Sequence, residues 1–209
     1  MRQDAREAGK SQDALTSLHA EIAACRKCAE AGYTVESVPH LVVSGPVEAR
    51  LMVIGQAPPS ERTSHGRPFS GPAGRRLWKW LAEAGWEEQD FRTRCYITAV
   101  TKCYPGKAAK GDRRPTATEQ KLCRPFLDRE LALVHPEVIV LVGGLAIQTF
   151  LGENRLKDIV GRVVVREHVR YVPLPHPSGA SLWLNTLQNQ ERVRKALGAL
   201  CKLKPDLKL

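Results

Sequence analysis

No apolar run in these 209 residues approaches the roughly 20 needed for a helix to cross a bilayer, so no membrane-spanning helix is expected. The first dozen residues, MRQDAREAGKSQ, lack the apolar core of an export signal; no signal peptide is expected, and the chain is placed in the cytoplasm. In that reducing compartment disulfides are disfavoured, and the six cysteines point instead to metal binding or catalysis. Internal repeats and low-complexity tracts are also missing, which excludes a repeat array. Acidic side chains are in deficit: 22 against 32 basic ones leave a formal charge of +10 and a pI near 9.6. The default partner of such a chain is a polyanion, nucleic acid first, although solvated surface charge alone produces the same balance. At 43% hydrophobic residues the chain is globular, long enough for one domain with a core and short for two.

What is present is a distinctive cysteine pattern. Cys25-Arg-Lys-Cys28 is followed at a distance by Cys103 and Cys123, which bracket a basic loop rich in Pro and Gly. A C-x2-C pair with two remote cysteines suits thiolates wrapped around a metal or an iron–sulfur centre. Such a centre would pin a charged excursion that has few apolar residues of its own to hold it. Zinc and iron–sulfur both remain open on spacing alone.

Residues 1–12 are expected to form a flexible tail and residues 13–209 a single domain, opening with an amphipathic helix over 13–24. Continuous apolar runs at Leu51–Gly55, Tyr96–Val100 and Val138–Val142, with a shorter one at Tyr171–Leu174, predict strands covered on both faces. Val163–Val165 is a candidate edge strand. Helical patterns over 72–85, 117–134, 144–151 and 186–202 alternate with them. The expected fold is α/β, a three-layer α/β/α sandwich around a short, mainly parallel four-stranded sheet.

In such folds the functional crevice lies beyond the carboxyl ends of the strands. Three unusual loops leave those ends: Gly55-Gln-Ala-Pro-Pro59 running on to Gly66-Arg-Pro-Phe-Ser-Gly71, Lys102 to Pro115, and His176-Pro-Ser-Gly-Ala-Ser181. His176 stands between Pro175 and Pro177 directly after a strand, where its imidazole could donate to an oxygen gaining negative charge. Ser178 and Ser181 suit phosphate contacts, or equally the capping of a helix. Phe69, among glycines, is either a core plug or a platform for a planar base. The helix start after Gly71-Pro-Ala-Gly74, carrying Arg75 and Arg76, suits an anion.

In order and spacing, Gly55-Gln-Ala-Pro-Pro59, Gly66-Arg-Pro-Phe-Ser-Gly-Pro-Ala-Gly74, Thr101-Lys-Cys-Tyr-Pro105 and His176-Pro-Ser178 resemble the motifs of the uracil-DNA glycosylase superfamily. The nearest branches are the iron–sulfur ones, families four and five. The resemblance implies a structural [4Fe–4S] cluster on Cys25, Cys28, Cys103 and Cys123. It implies that Gly55 to Pro59, with Gln56 and Ala57, position the attacking water, that Phe69 stacks on uracil, and that His176 stabilises the departing anion. The segment after His176 would enter the minor groove, with Leu182 or Trp183 as the wedge. Lys107, Lys110, Arg113 and Arg114 would contact phosphates, or else belong to a solvated, mobile loop. Cys95 and Cys201 match no ligand position and are expected to be buried thiols.

Three positions depart from the family pattern. Gln56 stands where family four usually has Glu, Ala99 where it has an Asn that reads the uracil edge, and Pro72 where family five tends to have Asp. The loop from Tyr104 to Pro115 contains no histidine, unlike that of a branch that becomes covalently trapped on its product, so ordinary turnover is expected. The implied function is a monofunctional DNA glycosylase that flips out uracil, with other deaminated bases as further candidates, and hydrolyses the N-glycosidic bond. It would act as a monomer on single- or double-stranded DNA in base excision repair. The alternative is a catalytically weakened iron–sulfur DNA-binding protein.

Overall fold

The computed structural model describes residues 2–33, 43–60, 67–109, 111–153, 155–178 and 182–207. Its centre is one sheet of five strands: β1 Leu51–Gly55, β2 Tyr96–Ala99, β3 Val138–Val142, β4 Val164–Arg166 and β5 Val169–Leu174, in the order β2-β1-β3-β5-β4. β2, β1, β3 and β5 run parallel, with Val53 opposite Ile97 on one side and Val140 on the other. β4 turns back antiparallel on β5 through Glu167, whose φ is 54°. The sheet therefore has five strands where four were expected. The candidate edge run pairs because a tight turn returns it directly onto β5, pairing Arg166 with Val169.

Alternating side chains of each buried strand feed two cores. Leu51, Val53, Ile97, Val138, Val140, Val142, Val172 and Leu174 face one. Met52, Ile54, Tyr96, Ile139 and Leu141 face the other. The first face is covered by α3 (Pro72–Glu83), α4 (Glu88–Arg94) and α8 (Leu187–Leu203), through Leu77, Trp78, Leu81, Phe91, Val193 and Leu197. The second is covered by α1 (Arg2–Ala24), α5 (Ala117–Val134) and α6 (Gly144–Leu151), through Leu15, Leu18, Ile22, Phe126, Leu127 and Ile147. Two short helices, α2 (Lys27–Glu30) and α7 (Leu156–Ile159), complete the set among the described residues. The α/β/α layering follows from burial on both sheet faces.

Local chemistry sets the helix ends. Gly71 precedes Pro72 at the first position of α3, where a missing N–H costs nothing. Thr116 and Glu119 form a capping box at α5. α6 stops at Gly152, with φ 71°. The first helix begins at Arg2, well before the expected Asp13, because the preceding residues are rich in helix formers and hold no proline. Cys95 is buried as expected, but Cys201 is exposed. α8 buries Leu200 with Val193, Ala196 and Leu197, and one further residue rotates Cys201 about 100° away from that stripe. Among the described residues no helix is long and apolar enough to cross a membrane.

Leu141 is fully buried in β3. Leu141→Ala is expected to lower stability by about 2–5 kcal/mol, checked by urea denaturation.

Candidate active site at the carboxyl ends of the strands

Because four neighbouring strands share one direction, their ends deliver Ala99, Gly55, Gly143 and His176 to the same edge of the sheet, in that spatial order. The backbone ladder continues past the strands. Val100 N–H donates to Gly55 O (3.0 Å), Thr101 N–H to Gln56 O (3.2 Å) and Gly143 N–H to Leu174 O (2.9 Å). β2 lies to one side of β1 and β3 to the other, so the chain reverses its order of progress here, the usual location of a binding crevice in such sheets.

Phe69 is a half-buried aromatic in the left-handed region, with φ 52°. That conformation costs an L-residue on the order of 1–3 kcal/mol and has to be held by its surroundings. The Trp78 indole N–H donates to Phe69 O (3.0 Å), and Arg92 donates to Pro68 O (2.8 Å) while its guanidinium lies 4.2 Å from the Trp78 ring centre. Gly74 has to be glycine, since a β-carbon there would come within 1.7 Å of Phe69 O. The Phe69 ring lies against Gly55, where a β-carbon would sit 3.1 Å from Cζ. The ring packs on the core, as a plug would, and also abuts Gly55 of the first strand. Sequence reasoning missed Arg92: its one local signal is an i,i+4 pair with Glu88, which says nothing about Pro68.

His176 sits against Gly143, where a β-carbon would be 3.4 Å from the histidine Cβ and Cδ2. Its Nδ1 accepts a hydrogen bond from Ser178 N–H (3.3 Å). That bond assigns the proton of the neutral ring to Nε2, the nitrogen left free to donate. The ring keeps an exposed edge, yet crowding by the protein lowers its pKa, an effect partly offset by the Asp112 carboxylate. Neutral imidazole with Nε2–H is thus the form this environment favours.

The basic loop is folded back on this edge. Gln56 Nε2 donates to Arg113 O (3.4 Å). Tyr104 OH donates to Asp112 (2.9 Å), which also pairs with Lys107 (2.8 Å), and Ala108 N–H donates to Gly111 O (3.0 Å). Arg113 is spent within the loop: two bonds of 2.8 Å to Glu119, and one of 2.8 Å to Pro105 O. Arg114 is exposed and bonded to Gln148, Lys107 and Arg75 are exposed, and Ala57 is half-buried. Ser178 is half-buried, its carbonyl accepting from Arg76 (3.3 Å). Leu182, 79% exposed, stands out from a short 3-10 turn, Leu182–Asn185, whereas Trp183 rests on the core. Lys110, Gly66 and Ser181 lie outside the described residues.

Cys25 at the end of α1, Cys28 in α2, Cys103 after β2 and Cys123 in α5 come close enough to act on one another. Cys28 and Cys103 lie close to one another, and each of Cys28, Cys103 and Cys123 lies in the field of Cys25. Lys102 N–H donates to Cys123 Sγ (3.2 Å). Burial pushes the Cys103 thiol up to about 12 and Cys123 to about 11, and the other cysteines add to the effect. Four thiolates in such a setting require compensating positive charge. Among the described residues no group of His, Cys, Asp and Glu side chains is set to hold a single metal ion.

A sequence model described as the uracil DNA glycosylase superfamily matches residues 42–201. The chain belongs to this superfamily. It is 30% identical to the Type-4 uracil-DNA glycosylase of Archaeoglobus fulgidus over 205 residues, 93% of this chain and 98% of the relative. It is 31% identical to the Type-4 protein of Sulfurisphaera tokodaii over 80% of this chain and 76% of that one. A Type-5 uracil-DNA glycosylase of Pyrobaculum aerophilum is 34% identical over 64% of this chain and 63% of its own length. Both branches suggested by the motifs are represented among these relatives.

Glu119 links the basic loop to the cysteine helix. Hydrogen bonds from Arg113, opposed by burial and aided by Thr116, hold its pKa at about 2, below the ordinary 4.5. A depressed carboxylate pKa stabilises the fold above the unfolded value, and that contribution is lost as pH falls from about 4.5 to about 2. Glu119→Gln is expected to cost on the order of 1–3 kcal/mol at neutral pH, with the gap to the parent protein closing across that acid window. Urea denaturation at a series of pH values measures both.

Proposed function

We propose that the protein is a monofunctional DNA glycosylase that extrudes uracil from DNA and hydrolyses its N-glycosidic bond, in the cytoplasm and as a monomer. The observation that carries this reading is the neutral His176, its Nδ1 occupied by Ser178 and its Nε2–H free, on the same sheet edge as Phe69. Membership of the superfamily and the names of the relatives support it.

Bond cleavage leaves positive charge on the sugar and negative charge on the base. The extruded uracil stacks on Phe69, and His176 Nε2–H donates to the uracil oxygen on which the charge gathers. A neutral donor suits this step, since it stabilises the anion without surrendering a full proton. Gly55, Gln56 and Ala57 line the place of the water. Gln56 orients it through its amide but cannot remove a proton, so bond breaking runs ahead of attack. Ala99 offers no amide to the base edge, which relaxes discrimination toward other deaminated bases such as hypoxanthine or xanthine.

Leu182 fills the gap in the duplex, and Arg75, Lys107, Lys110, Arg114, Ser178 and Ser181 contact the backbone. Arg113 serves the loop's own structure. Cys25, Cys28, Cys103 and Cys123 fit a [4Fe–4S] cluster as the donor set, converging from separate segments. When bound, the cluster supplies structural cross-linking and no redox step. Pure protein is expected to contain about four iron atoms per chain; an iron-free, fully active protein rules the assignment out.

His176→Ala is expected to lower the single-turnover rate of uracil excision by about 10²–10³-fold while leaving DNA affinity intact. Alkali cleavage of a uracil-containing oligonucleotide reads the rate; unchanged excision overturns the assignment. Lys107→Ala and Arg114→Ala are each expected to reduce the slope of log affinity against log salt by about 1. Binding isotherms at several salt concentrations check this.

A further inference from the structure

One pair of opposite charges is buried beside the site and has no part in the chemistry above. Lys102 is 4% exposed and Glu130 fully buried. The Lys102 ammonium donates to Glu130 Oε2 (2.5 Å), Thr98 Oγ1 (2.7 Å) and Ala99 O (2.7 Å), so its three protons meet three acceptors. Glu130 also accepts from Tyr96 OH (3.1 Å) and from the Thr98 hydroxyl (3.1 Å), and the tyrosine oxygen lies 2.8 Å from His19 Nε2.

Burying an ion pair is weak support for stability, since an apolar pair of similar volume serves as well or better. What this pair does supply is geometry. It ties Ala99 O, at the end of β2, to α5, the helix that carries Cys123. The following residues are anchored one after another: Val100 N–H on Gly55 O, Thr101 N–H on Gln56 O, Lys102 N–H on Cys123 Sγ. The turn from Ala99 to Cys103 thus joins three parts, the base-edge strand, the first-strand loop and a cysteine ligand, and Lys102 is the side chain inside it.

We infer that the Lys102–Glu130 pair positions the glycosylase site by locking the 99–103 turn, and through it the Gly55–Gln56 backbone against which Phe69 rests. The inference rests on the glycosylase reading for its effect on excision, but not for its effect on the turn. Lys102 and Glu130 are positioning residues, out of contact with the base.

The test compares the parent protein with Lys102→Met/Glu130→Leu, in which two apolar side chains replace the pair and neither charge is stranded. Melting temperature and iron content verify that the variant is folded and its cysteine centre intact. Native-state hydrogen exchange then reads the amides of Val100 and Thr101, which are expected to exchange about 10-fold faster. Single-turnover excision of uracil at saturating enzyme is expected to fall about 10–100-fold, with affinity for undamaged DNA unchanged. A folded variant with parental exchange at both amides overturns the inference, as does one with parental excision. If the parent protein itself removes no uracil, the glycosylase reading fails and the exchange experiment alone decides the role of the pair. Should the double variant not fold, Glu130→Gln keeps the shape while removing the charge; it is expected to move both readouts in the same direction by smaller factors, and parental values in both overturn the inference.

Discussion

Everything that happens at this site depends on four strands pointing the same way. A parallel sheet has to be covered on both faces, because each strand is a continuous apolar run, and the helices that cover it also carry the chain back to start the next strand. The consequence is that every carboxyl end, and every loop leaving one, emerges at one edge. Ala99, Gly55, Gly143 and His176 become neighbours there although they are far apart in the chain. An antiparallel arrangement of the same strands would have divided them between two ends of the sheet.

On that edge the local economy is one of polar groups satisfied by backbone. Phe69 keeps a strained conformation because Trp78 holds its carbonyl and Arg92 holds that of Pro68. His176 has one nitrogen bound by a backbone amide two residues on, which leaves a single donor for a ligand. Gln56 is tethered to the basic loop through Arg113 O, and Arg113 is itself committed to Glu119. The loop is thereby joined both to the first-strand motif and to the helix that bears Cys123. Charge that looks from composition like a uniform polyanion-binding surface is in fact divided. Arg113, Lys102 and Arg92 serve architecture, while Lys107, Arg114 and Arg75 remain at the surface.

Gln56, Ala99 and Pro72 each take a definite structural place. Ala99, at the end of β2, is buried and its carbonyl is taken up by the Lys102 ammonium. With Gln56 in the first motif, the loop gains a neutral donor to Arg113 O, which a carboxylate could not supply. Pro72 begins α3, where its ring favours the helical backbone.

The strands, most helices and the motif loops are legible in the sequence. Those features are written in local patterns: apolar runs, turn residues and fixed spacings, all of which act over a few neighbours. It fell short where helical propensity in a polar stretch extended α1 back to Arg2, and where a tight turn made an edge run into β4. Packing of the layers settles that Glu130 meets Lys102, that Arg92 supports Pro68, that Gln56 reaches Arg113 and that Ser178 sets the tautomer of His176. Most of these contacts join residues tens of positions apart. They are chosen by how the layers pack and by the need to pair every buried polar group, a condition no local pattern encodes.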